Sequence, residues 1–251
     1  MGKIIVFANQ KGGVGKTTTA VNLGAYLADC GKQVLLVDFD PQGNLSSAVG
    51  ADVQKEGIYE VLSGLADVQT TIQETMVDNL FVLPSNINLS GASVELINMD
   101  EREYFLKKAL APVKEKFDFI FIDCPPSLGL LTINGIAAAT SVIVPLQCEY
   151  FALEGLGLLI KTIRRIQKRI NPTLELLGIV FTMYDSRTRL ANDVVDEVTK
   201  HFPEIVFKTV IPRNVKLSEA PSHGVPINLY NALCVGAKSY ESLAEEVINR
   251  G

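Results

Sequence analysis

Cysteine and histidine are scarce in this chain, and the few present do not lie together. Cys30, Cys124, Cys148 and Cys234 are scattered over 251 residues with no C-x-x-C pair, and only His201 and His223 could join them as metal ligands. That spacing supplies no zinc or disulfide framework and reads as a reduced cytosolic chain. Long apolar runs are missing too. None approaches the roughly 20 residues of a membrane span, and no signal peptide precedes the first apolar stretch, so the expected location is the cytoplasm, with no membrane partner. Positive charge is not in excess either. A formal net charge of -5 argues against a protein that coats nucleic acid with its whole surface and leaves room only for a local basic patch. No Pro/Ser-rich linker, repeat or low-complexity tract divides the chain. With 47% hydrophobic residues, it is expected to form one domain over residues 1–251.

Short β-rich apolar runs recur at Lys3–Ala8, Gln33–Val37, Leu80–Leu83, Phe117–Ile122, Ser141–Leu146, Leu174–Thr182 and Val206–Ile211. Most are continuous Val/Ile/Leu/Phe stretches, as strands covered on both faces read. Helical patterns at Thr17–Asp29, Glu101–Lys116, Glu154–Ile170 and Leu190–Phe202 separate them. This predicts an α/β fold with a doubly wound, mostly parallel sheet, whose ligand lies beyond the carboxyl ends of the strands. The polar stretch Asp52–Asn79 is expected to be a surface excursion with short helices.

At the end of the first run stands Lys11-Gly12-Gly13-Val14-Gly15-Lys16-Thr17-Thr18, opening a helical pattern. A glycine-rich turn between strand and helix can wrap its N–H groups around phosphates. Lys16 is placed for the β/γ-phosphates and Thr17 for Mg²⁺. The usual first glycine of G-x-x-x-x-G-K-[ST] is replaced by Gln10, and a second lysine, Lys11, appears inside the loop. One triphosphate needs only one such lysine, so Lys11 suggests a cation aimed across a subunit interface.

Two more runs end in acids: Val37-Asp38-Phe39-Asp40-Pro41 and Ile122-Asp123-Cys124-Pro125-Pro126. Four apolar residues followed by Asp form the second Mg²⁺ handle of P-loop enzymes, which assigns Asp123 to the metal's water shell. Asp38 and Asp40 are two apart and share a face if the strand continues. One acid can then serve the metal and the other the attacking water.

These motifs, with Gln147-Cys148-Glu149-Tyr150-Phe151-Ala152-Leu153-Glu154-Gly155 and Val210-Ile211-Pro212-Arg213-Asn214, resemble the ParA/Soj partitioning ATPases over nearly the whole chain. Those proteins form the deviant Walker A class of P-loop NTPases, and the likeness is to the short chromosomal type. The resemblance implies ATP and Mg²⁺ as ligands. Gly12, Gly13, Val14, Gly15, Lys16, Thr17 and Thr18 would hold the triphosphate, and Pro212 and Asn214 would border the adenine. Lys11 would contact the nucleotide of the opposite subunit, and Glu149 the partner's ribose. Asp40 would orient water for slow hydrolysis, with Lys11 and Lys16 as its catalytic cations. Asp38 and Asp123, with Thr17, would lie on the metal side. The ATP-bound homodimer would bind double-stranded DNA non-specifically through Arg187 and Lys216, associate with the nucleoid, and respond to a ParB-type centromere-binding protein. Lys216 stands where arginine is frequent in the family, and the segments Gly224-Val225-Pro226 and Tyr230–Gly236 lack basic residues common there.

Three rivals share the loop. A MinD-like, membrane-placed ATPase needs a basic amphipathic tail, whereas Ser239–Arg250 is acidic. An iron–sulfur carrier of the nitrogenase iron-protein type needs paired cysteines, and a metabolic ATP-dependent ligase needs a second substrate pocket. Cys124 reads as a small buried residue and His223 as a turn residue. The cluster Lys161, Arg164, Arg165, Lys168 and Arg169 reads first as a solvated helix face. The aromatic pair Tyr150 and Phe151 could pack in the core or at an interface.

Overall fold

The computed structural model describes residues 2–150 and 152–250. Its frame is a seven-stranded sheet: β1 (Lys3–Phe7), β2 (Val34–Asp38), β3 (Gln73–Glu74), β4 (Leu80–Leu83), β5 (Phe119–Asp123), β6 (Ser141–Gln147) and β7 (Glu175–Thr182). The spatial order is β3-β4-β2-β5-β1-β6-β7. All neighbours are parallel except the two-residue edge strand β3, which runs antiparallel to β4. This bears out the doubly wound architecture.

The strands read as unbroken apolar runs because each face has its own core. Ile4 and Val6 of β1, Leu35 and Val37 of β2 and Ile120 and Ile122 of β5 enter one cluster. Their alternating neighbours Ile5 and Phe7, Val34 and Leu36, and Phe119 and Phe121 enter the other. A period of two thus sorts one hydrophobic stretch onto two layers of helices. Helices Leu130–Ala138, Ala152–Arg169 and Arg189–His201 cover the first face, and Lys16–Asp29 and Val235–Asn249 cover the second.

Two elements depart from the sequence reading. The run Val206–Ile211 is not a strand: it meets β7 and the following turn at two isolated parallel bridges, Ile179 with Val206 and Tyr184 with Pro212, and by the Ile211 N–H donated to the Phe181 carbonyl at 2.9 Å, without forming a continuous ladder. Side chains of the last helix intercept its backbone. The Glu246 carboxylate accepts the N–H groups of Lys208 and Thr209, and Arg250 donates to the Val206 carbonyl at 2.7 Å. The helix expected over Glu101–Lys116 is confined to Phe105–Leu110, with a separate 3-10 turn at Lys114–Lys116. Pro112 lies between them and has no N–H to donate to the preceding turn. The stretch Asp52–Asn79 carries the short helices Ile58–Leu62 and Val68–Thr71, as anticipated, and also β3.

Candidate active site

The loop between β1 and the helix Lys16–Asp29 is fixed from outside by the neighbouring strands. Asn9 donates its amide to the Pro145 carbonyl at 2.8 Å and accepts the Lys11 N–H at 3.0 Å. The Thr182 hydroxyl, at the end of β7, donates to the Val14 carbonyl at 2.8 Å. Gly13 and Gly15 hold φ of 74° and 83°, a left-handed conformation that side chains resist. The turn and helix N-terminus together form an anion cradle.

Lys16, 7% exposed, projects into that cradle, and its ammonium has one long hydrogen bond, 3.4 Å to the Lys11 carbonyl. Burial lowers its pKa, opposed by the Asp123 charge. An ammonium with three donors and one weak acceptor is a strong site for phosphate oxygens.

Asp123 shows the same incompleteness with opposite sign. Thr17 Oγ1 donates to its Oδ2 at 2.5 Å, while Oδ1 is buried with no hydrogen-bond partner. Burial, reinforced by the Asp38 charge, pushes its pKa up to about 8. A hydroxyl and a buried carboxylate short of a partner are suited to a hard cation that retains water ligands and binds phosphate oxygens. Thr17 and Asp123 are therefore chemically fit for Mg²⁺. Among the described residues no group of three or more His, Cys, Asp and Glu side chains could hold a metal.

Asp38 pairs in register with Asp123 across β2 and β5. Both its oxygens are engaged: Oδ2 accepts the Ser46 hydroxyl at 2.7 Å and the Ser46 N–H at 2.8 Å, and Oδ1 accepts the Asp40 N–H at 3.2 Å. Its pKa rises to about 6 because burial outweighs these bonds. Its visible work is to hold the turn that carries Asp40. Ser46, missed in the sequence reading, also accepts the Ser85 N–H at 2.9 Å.

Lys16, Thr17, Asp40, Pro212 and Asn214 line one cleft of about 850 Å³, together with loop glycines and Thr18. The bridge from Tyr184 to Pro212 brings the distant segment into place, and Asn214 caps its short helix by accepting the Lys216 N–H at 2.9 Å. Met183 also lines the cleft, at φ 50°, an unusual backbone conformation for this residue type. No residue pattern pointed to it.

Lys11, Glu149, Arg187 and Lys216 lie outside the cleft lining. The Lys11 ammonium forms an ion pair with Glu149 of its own chain, both side chains about half exposed. Arg187 clasps Asp185 with bonds of 2.8 and 2.7 Å. Lys216 donates to Glu219 at 2.8 Å, Glu219 also accepts the Tyr230 hydroxyl, and the ammonium sits 5.8 Å from the Tyr230 ring centroid. Cys124 is buried, with its thiol pKa raised by that burial, so it has no exposed nucleophilic sulfur. Tyr150 is exposed, and Phe151 lies outside the described residues.

A strand-loop-helix phosphate cradle with a lysine, a hydroxyl and a strand-end carboxylate defines a P-loop ATPase that uses ATP and Mg²⁺. A family model described as AAA domain matches residues 2–176. The chain is 60% identical to the chromosome-partitioning ATPase Soj of Treponema pallidum (strain Nichols), over all of this chain and 98% of that protein. It is 56% identical to the sporulation initiation inhibitor protein Soj of Bacillus subtilis (strain 168), over the full length of both. Among solved structures, cobyrinic acid a,c-diamide synthase from Mycobacterium smegmatis, with bound ATP analog and magnesium, is 41% identical. It aligns with a TM-score of 0.88 over 99% of this chain and 95% of that one. The chain belongs to the ParA/Soj family of deviant Walker A ATPases.

Proposed function

We propose that this chain is one P-loop ATPase domain that acts as a dimerising switch in chromosome or plasmid segregation. Its ATP state binds double-stranded DNA non-specifically, and a ParB-type centromere-binding protein stimulates its slow hydrolysis. Its place is the cytoplasm, on the nucleoid. The two relatives at 60% and 56% identity both bear the name Soj, the first as a chromosome-partitioning ATPase, which favours partitioning over the synthase activity named for the neighbour at 41%. Against a MinD-like membrane role stands the charge of the last helix, Val235–Asn249, which offers no basic amphipathic face. It carries Glu241, Glu245 and Glu246 against a single internal Lys238.

The observation that carries the reading is the division of labour between two lysines of one loop. Lys16 occupies the cradle, whereas Lys11 stands half exposed on Glu149. A cation on the rim, held by one carboxylate, is free to exchange that partner for the more highly charged triphosphate of a second subunit. Lys16 and the loop N–H groups bind the triphosphate. Thr17 and Asp123 hold Mg²⁺, which when bound neutralises charge on the phosphate oxygens. Asp40, held through Asp38 and Ser46, orients the water that attacks the γ-phosphorus. Pro212 and Asn214 border the adenine, Glu149 passes to the partner's ribose, and Lys11 stabilises charge at the partner's γ-phosphate. Loss of that phosphate removes the anion that both lysines share, so the dimer and its combined DNA footprint come apart.

Native mass measurement with ADP and with a non-hydrolysable ATP analogue, each with and without DNA, tests this. The wild type should dimerise only with the analogue, and Lys11→Ala should bind the analogue yet stay monomeric. An analogue-dependent Lys11→Ala dimer would remove the switch.

A further inference from the structure

The cleft has two walls that come from distant parts of the chain. One is the turn after β2 with the short helix Asn44–Ala48, which contributes Asp40, Gln42, Asn44 and Ser47. The other is the segment that follows Asn214, which contributes Ser218, Pro221 and Val225. Behind the cleft the walls meet main chain to main chain at Gly50 and Gly224, whose φ values are 70° and 65°. A Cβ built on Gly50 stands 3.1 Å from the Gly224 carbonyl oxygen, and one on Gly224 stands 3.2 Å from the Gly50 Cα. At either position a side chain forces backbone to give way by a few tenths of an ångström. Helix capping accounts for a left-handed glycine after each short helical segment, but not for the two caps abutting.

From that contact an unbroken series of main-chain hydrogen bonds runs back to Asp40. Gly50 donates its N–H to the Ser47 carbonyl at 3.2 Å, Ser47 donates to the Gly43 carbonyl at 3.0 Å, and Gly43 donates to the Asp40 carbonyl at 3.0 Å. The opposite wall is tied to the helix that opens from the phosphate loop. There the Asn22 side chain accepts the Ile227 N–H at 2.7 Å and donates to the Thr18 carbonyl at 2.8 Å. A helix of five residues cannot fix its own position, so its place is set by what its two ends touch. Main-chain contacts, unlike those of long side chains, have no rotamers with which to absorb a displacement.

We propose that the contact of Gly50 with Gly224 is a strut through which the base-side wall sets the position of Asp40, making both glycines positioning residues for hydrolysis. The inference rests on the reading above, in which Asp40 orients water and Pro212 and Asn214 border the adenine. A base seated against Pro212 and Asn214 fixes the separation of the two walls. The strut carries that spacing along the hydrogen-bonded turn to the carboxylate beside the γ-phosphate. Binding energy from the base is thereby used to place the water-orienting group, so the base contributes to the chemical step as well as to affinity. The leverage is large, because a misplacement of about 1 Å costs about 100-fold in rate at a reacting centre.

Steady-state ATP hydrolysis, with native mass taken on the non-hydrolysable analogue, tests the strut. Gly224→Ala should still dimerise with the analogue and keep KM within about twofold, while kcat falls about tenfold or more. Gly224→Asn, which tolerates the left-handed backbone but brings the same Cβ, should match it while melting closer to wild type. Gly64→Ala adds left-handed strain at φ 71° where nothing lies within 4 Å, and should keep the wild-type kcat. Ribose 5′-triphosphate retains the sugar and phosphates without the base, and wild type should turn it over about tenfold or more slowly than ATP at saturation. The Gly224 variants should not slow that substrate further. A wild-type kcat in folded Gly224→Asn, or equal kcat for the two substrates in wild type, would overturn the strut and leave the switch standing. Loss of the analogue dimer together with the rate would make the glycines an interface feature and overturn it equally. A wild-type rate in Asp40→Ala would instead defeat the water-orienting reading itself.

Discussion

Charges in the cradle and charges on its rim are handled in opposite ways. Inside, Lys16 has one long hydrogen bond and Asp123 an oxygen with no partner, although both are buried. Outside, Lys11, Arg187 and Lys216 are each matched to a carboxylate of the same chain. The interior is unfinished without a ligand, and the energy of those unmet groups becomes binding energy when phosphate and cation arrive. The rim is already satisfied. A partner there must displace Glu149, Asp185 or Glu219, so each contact is an exchange worth little on its own. This one difference in burial predicts tight nucleotide binding inside and, for the partners proposed above, weak and reversible contacts on the rim.

The largest expected effect tests the interior. Lys16→Ala should weaken ATP binding by about 100-fold, the equivalent of about 3 kcal/mol for charged hydrogen bonds in a buried site. Calorimetry showing unchanged affinity would erase the distinction from the rim. Asp40→Ala should leave nucleotide affinity intact and slow single-turnover hydrolysis by about 100-fold, and a wild-type rate would move water positioning elsewhere. Ser46→Ala sharpens the comparison, because it strips an internal partner from Asp38 and from the Ser85 N–H at once. Urea unfolding of the nucleotide-free protein should show a loss of about 2 kcal/mol, and an unchanged midpoint would mean Asp38 does not depend on that bond. Smallest is Glu219→Gln on the rim, which frees Lys216 from its ion pair. DNA affinity in the ATP state should rise by no more than about fivefold, and a fall would show that Glu219 positions Lys216 for DNA rather than competing for it.

Local chemistry was most legible where a function needs contiguous residues. The turn Gly12–Thr18 must follow a strand and open a helix, so its motif carries its own context, and the helix begins at Lys16, one residue from the sequence reading. The acids Asp38 and Asp123 were likewise placed by four apolar residues ahead of each, and the register brings them side by side. Where a structure depends on distant partners, the reading failed. Val206–Ile211 has the composition of a strand, yet Glu246 and Arg250 claim its N–H and C=O groups from forty residues away. Ser46 belongs to no motif in the sequence, and its bond to Asp38 exists only because the turn folds back over β2. The two-residue β3 was invisible in a polar stretch, since it is defined by pairing with β4 rather than by its own side chains.

The amino-acid order alone determined that this chain would wrap phosphates after its first strand and place carboxylates at two strand ends, because those features are set by neighbours a few residues apart. The tertiary structure decided which charges are satisfied. It seats Lys16 in the cradle but Lys11 on Glu149, leaves Asp123 short of a partner while Asp38 is fully occupied, and gathers Pro212 and Asn214 from the far end of the sequence into the same cleft. The cost of an unmet charge depends on burial and on groups brought together by packing, which no local stretch of sequence specifies.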